Sequence, residues 1–260
     1  MADFVLARKS RNIASSAVHI FLNILLGLSA VLLTVFSGNP APGLILILLS
    51  KWRVFAVRSR YLWINIKANL VDFIVGFSVV LLAYFAGNNL LPVDFGLIAL
   101  YIIWLLFIKP LSSEKATLVQ SVIAVFLGIS ATSVLTANMN AFFGVVLAFL
   151  VGYAASRHIL IQTTDKDFTL TTLVCGLVFA EIMWLCHSWA IVYSFGRTGI
   201  SIPQSAIVLT IFAFIYNYTR QAIIRNGDDF SLRDIMGPIV FGVILIFIMA
   251  LWFSEPVFNI

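Results

Sequence analysis

With 260 residues, 62% of them hydrophobic and only 10% charged, the chain is not an ordinary soluble domain, in which about 25% of residues carry charge. Its net charge of +5 comes without the basic, aromatic-interleaved surface of a nucleic-acid binder, so no nucleic-acid partner is expected. No polar block is long enough to form a separate module, and residues 1–260 read as a single transmembrane domain: an all-α, polytopic integral membrane bundle of about nine transmembrane helices.

Arg8, Lys9 and Arg11 precede the first apolar run, residues 17–36. At about 20 residues it exceeds the 7 to 15 of a signal-peptide core, so it reads as an uncleaved span. The turn Ser37–Gly43 leads to the second span, 42–57, which contains Lys51, Trp52 and Arg53. We take it as a crossing of about 16 residues that carries two cations; the alternative is a shorter element ending near Lys51. In the third span, 63–86, Asn65, Asn69 and Asp72 fall at i, i+4 and i+7 and share one helical face, continued by Gly76, Ala83 and Gly87. An unsatisfied polar group in hydrocarbon costs several kcal/mol, so this face must meet other helices or a water-filled cavity.

Pro92 opens the fourth span, 93–108, and Lys109 and Pro110 stop it. Ser112 or Ser113 can cap the fifth, 116–135, which is rich in small and hydroxyl residues. In the sixth, 139–156, Asn140, Gly144, Ala148 and Gly152 recur every fourth residue, a small-residue face suited to close packing or to a homo- or hetero-oligomer contact. Thr164 and Asp167 have capping-box spacing before the seventh, 168–195, which at about 42 Å would have to tilt or protrude. The eighth, 204–224, and ninth, 235–253, flank an Asn226-Gly227 turn. All seven prolines fall in turns or in the terminal turns of these spans, which supports the count.

Nine crossings would put fifteen of the sixteen lysines and arginines on one side, with Arg197 alone opposite. Positive charge collects on the cytoplasmic side, so the N-terminus is expected in the cytoplasm, the C-terminus outside, and the protein in the cytoplasmic membrane, facing anionic lipid headgroups.

Measured along a straight third span from about Ile64, Asp72 would lie about 12 Å inside the hydrocarbon, near the midplane. Arg53 or Lys51 would reach similar depth and is the expected countercharge. The same pairing also has a purely structural reading, as a staple that helps a basic span insert. Glu181, thirteen residues into the seventh span, has no evident basic partner. An unpaired carboxylate at that depth favours its neutral form, as a proton-coupled carrier needs; the bland alternative is a glutamic acid bonded to hydroxyls of the fifth span. His19 and Asn23 form a second, weaker polar stripe on the first span.

Cys175 and Cys186 read as small apolar fillers, and no Walker A, HExxH, GxSxG or dinucleotide fingerprint occurs. No catalytic residue, metal or cofactor is therefore assigned. The expected function is a small carrier or permease-like protein, not driven by ATP, that moves a small substrate or ion past Asp72 and Glu181. The alternatives are a membrane-embedded enzyme acting on a lipid-linked substrate, which requires the polar residues to meet at headgroup level, and a structural or assembly subunit.

Overall fold

The structure, a computed structural model, describes residues 2–87, 91–161, 168–188, 191–194, 201–227 and 231–252. Each of the nine expected stretches contains helix, which satisfies its backbone groups within the segment, although Pro238 falls inside the ninth and not in its terminal turn. Among the described residues, four helices are long and apolar enough to cross a membrane: Ser16–Ser37 within α1 (Ala2–Ser37), α7 (Glu114–Leu135), α8 (Ala141–Leu160) and α9 (Phe168–His187). The pair α4 (Ser59–Ala68) and α5 (Leu70–Ala86) would make a fifth if the two form one broken span. Shorter apolar helices are α2 (Ala41–Ser50), residues 92–108 and residues 235–248 of α11 (Arg233–Trp252). α10 (Gln204–Asn226) is not among the helices that meet these tests.

Three expected spans are built differently. The second is not a 16-residue helix: α2 stops at Ser50, and α3 (Trp52–Phe55) is a single separate turn. The shorter alternative is the one formed. The third breaks at Asn69, where α4 and α5 meet at 63°. Asn69 donates its side-chain amide to the Asn65 carbonyl (2.9 Å), a local bond that competes with the helical ladder. α4 keeps Tyr61, Trp63 and Ile64 exposed, with Lys67 over the Trp63 ring, as suits an interfacial helix. Consequently the face shared by Asn65, Asn69 and Asp72 does not exist as one continuous stripe. Asp72 sits in the first turn of α5, not about 12 Å along a straight span. The seventh ends as helix at His187; its surplus length turns back as β1 (Val192–Ser194), antiparallel to β2 (Ser201–Pro203). Of the expected caps, Ser113 accepts from Ala116 N (3.3 Å), while Thr164 and Asp167, like the lone opposite-side Arg197, lie outside the described residues.

α7 is the shared wall of two cores. One is formed with α1, α5, α6 (Pro92–Ile103) and the π-helical turn Trp104–Ile108 that follows it, around Val75, Val79, Tyr101 and Trp104. The other is formed with α8, α9 and α10, around Ile129, Phe179 and Leu209. Its small residues are thereby explained, and its hydroxyls turn inward: Ser130 donates to the Phe126 carbonyl (2.7 Å) and Thr136 to that of Thr132 (2.8 Å). Helices in lipid associate through close packing more than through the hydrophobic effect. The small-residue face of α8 serves this within the chain, since Gly144 meets Met183 and Gly152 meets Phe179 of α9. Asn140 belongs to the cap of this helix, accepting from Phe142 N (2.9 Å).

A Cβ on Gly152 would lie 2.5 Å from Phe179 Cγ, whereas one on Gly96 meets nothing within 4 Å. Gly152→Val should therefore destabilise by about 1–3 kcal/mol, the usual range for overpacking. Gly96→Ala should not destabilise; thermal unfolding of the detergent-solubilised variants compares the two.

Candidate functional site

The chain gathers its buried charge where α2 ends, α5 begins and the π turn stops. Gly43, Ile47 and Lys51, one turn apart on α2, face Val80, Gly76 and Asp72 of the antiparallel α5. The shortness of α2 thus places Lys51 at its C-terminal end, directly opposite a carboxylate. Asp72 lies in the first turn of its helix, where the positive end of the macrodipole favours an anion. Lys51 Nζ forms an ion pair with Asp72 Oδ2 and also lies 5.1 Å from the centre of the Phe73 ring.

The π turn supplies the remaining partners. Lys109 N donates to the Trp104 carbonyl, an i to i+5 bond of 2.8 Å. In an α-helix, residues five apart would point about 140° away from each other. Here Trp104 Nε1 donates to Asp72 Oδ1 (3.0 Å) and Lys109 Nζ reaches Asp72 Oδ2 (2.6 Å). Lys51 and Asp72 are buried, whereas the Lys109 side chain retains 43% of its exposure.

Gln120 of α7 fixes the end of that turn. Its amide nitrogen donates to the carbonyls of Ile108 (2.7 Å) and Leu111 (2.9 Å); the Ile108 carbonyl also accepts from Leu111 N (3.2 Å). This orientation directs Oε1 at His158 Nε2 of α8, 2.6 Å away, so His158 Nε2 must carry the hydrogen. In its neutral form the ring then offers Nδ1 only as an acceptor.

A cavity of about 170 Å³ lies among these groups, lined by Asn69, Asp72, Trp104, Lys109, Gln120 and His158 with Ala68 and Val71. Two lysines against one carboxylate leave one positive charge beside it when His158 is neutral. The cavity lining holds no serine, threonine or cysteine.

Of the residues singled out from sequence, Asp72, Lys51 and Asn69 come together here. Arg53 is exposed on α3 and does not form the pair; Lys51 does, and Lys109 joins it. Asn65 is half-buried outside the lining. His19 and Asn23 bond to each other (3.1 Å) on the exposed side of α1. Glu181 is exposed on α9 and is not part of this cavity, and the fifth-span hydroxyls of Ser121 and Ser130 turn to backbone carbonyls and that of Ser133 to Ser205. Trp104, Lys109, Gln120 and His158 were not foreseen. Gln120, a lone amide in an apolar helix, was a visible signal; the π turn that aims Trp104 and Lys109 has none.

No protein-family model, no curated protein and no solved structure matches this chain.

Removing one member of a buried pair leaves an uncompensated charge, at a cost of about 3–5 kcal/mol. Asp72→Asn, which strands Lys51, should lose about that much. Lys109→Met, at a half-exposed position where solvent screens the charge, should cost less than about 1 kcal/mol. Equal losses in thermal unfolding would contradict the assignment of Lys51 as the buried partner.

Proposed function

We propose that this protein binds a phosphate-class anion in the cavity beside Asp72, at the cytoplasmic end of a bundle that crosses the membrane nine times. The observation that supports it is the convergence of Lys51 and Lys109 on one carboxylate at the cavity wall. The unmatched positive charge belongs to the half-exposed Lys109, which can turn to an incoming anion while Lys51 continues to neutralise Asp72. A phosphate oxygen would gain a charge-assisted hydrogen bond from that ammonium.

The depth of the site separates this reading from a carrier with a central cavity. Its polar groups come from helix ends: the end of α2, the start of α5, the end of the π turn, the first two turns of α7 and the last turn of α8. Five such ends at one level form a headgroup-level site. The carrier reading requires Glu181 in the same cavity as Asp72, and Glu181 faces outward from α9. The lysines and arginines on these ends favour a cytoplasmic position for them. The anion is then either the headgroup of a lipid or lipid-linked substrate, or a soluble phosphate.

Binding is read in nanodiscs. Phosphatidic acid should be retained over phosphatidylcholine, and Lys109→Gln should weaken that preference about tenfold or more, the worth of one hydrogen bond to a charged group. Stabilisation by inorganic phosphate as well would assign a soluble anion; response to the lipid alone assigns the headgroup. No preference for phosphatidic acid together with no response to phosphate sinks the proposal. Orientation is tested separately: cysteines at Lys115 and Asn138, at opposite ends of α7, should label from the cytoplasmic and the opposite side respectively.

A further inference from the structure

The far end of α7 holds a second cavity of about 130 Å³, against β1 and the start of β2–α10. Ser133 in its wall is thirteen residues from Gln120 on the same helix, so this cavity lies about 20 Å from the first and shares no lining residue with it. Three of its lining side chains come from one turn of α9: Met183, Cys186 and His187. Positions i, i+3 and i+4 share a helical face. Met183 is buried, and Cys186 and His187 are half-buried. A thioether, a free thiol and an imidazole therefore border one small space.

We propose that Met183, Cys186 and His187 form a binding site for a single soft monovalent metal ion, Cu(I). The donors decide the class: thioether and thiolate select Cu(I), and imidazole suits it, whereas magnesium and calcium require several oxygen ligands. Charge decides the valence. Loss of the Cys186 proton to solvent gives one thiolate, and one thiolate with Cu(I) makes a neutral unit that a membrane-embedded cavity can hold. Zinc with the same three donors would leave a net positive charge, and no carboxylate lines this cavity to compensate it. The step is an exchange of a proton for a metal ion at sulfur, with no change of oxidation state. His187 contributes a ring nitrogen in its unprotonated form. Ser133 and Ser205 hydrogen-bond each other in the cavity wall (2.6 Å) and serve as its polar side, not as ligands.

The experiment uses the untagged full chain in detergent, reduced and anaerobic, titrated with Cu(I) against a colorimetric Cu(I) chelator. One equivalent should be retained. Loss of a group that merely orients a ligand costs about 10- to 100-fold in metal affinity, so Cys186→Ser should lower it by more than about 100-fold. Met183→Leu and His187→Ala should each weaken it, and Cys175→Ser should leave it unchanged. X-ray absorption of the copper-loaded wild-type protein should show sulfur and nitrogen neighbours, a result that does not depend on the variants folding. Failure to retain Cu(I), a shell of only nitrogen and oxygen, or full retention by Cys186→Ser would overturn the proposal.

Discussion

A carboxylate withdrawn from water must be given partners, and Asp72 has three: the ammonium groups of Lys51 and Lys109 and the indole N–H of Trp104. Each reaches it from a segment whose regular geometry has been given up. Lys51 arrives because α2 ends after ten residues, and Lys109 and Trp104 arrive together because the helix between them winds as a π turn. Asp72 is itself at a helix start because α4 and α5 part at Asn69. A buried ion pair is a weak source of stability compared with apolar packing, yet three departures from ideal geometry meet around this one carboxylate.

The same arrangement divides the molecule by height. The middle of the bundle is largely apolar: Gly152 packs against Phe179, and Ile74, Gly128 and Val151 border a mostly apolar cavity of about 290 Å³. Polar chemistry is pushed to the ends, where helix termini expose backbone groups that need partners. Gln120 is an example: it donates to two carbonyls at and just beyond the end of the π turn and, with the oxygen that remains, fixes the hydrogen on His158. At the opposite end the ribbon of β1 and β2 helps wall the smaller cavity beside Met183, Cys186 and His187.

How much of the site could be read in advance depended on the kind of signal. An aspartate in an apolar run is conspicuous, and Lys51 was recognisable as its alternative partner. Lys109 was visible only as the residue that stops a helix. Trp104 was invisible as a donor, because an indole in an apolar segment is ordinarily packing. Glu181 drew attention for the same reason as Asp72, yet it faces outward. Composition marks an acidic residue in an apolar helix without revealing which way the helix is turned.

Hydropathy by itself determined that the chain is helical and built for a membrane, and roughly where most of its apolar segments lie. That information is local: it depends on how many apolar residues run consecutively and on where proline and polar residues interrupt them. Only the tertiary structure decided that the second helix stops at Ser50, that the third divides at Asn69 and that the fourth ends in a π turn. Such departures depend on contacts between segments far apart in the chain, such as Trp104 with Asp72 and Gln120 with Ile108. A linear reading of hydropathy has no access to those contacts.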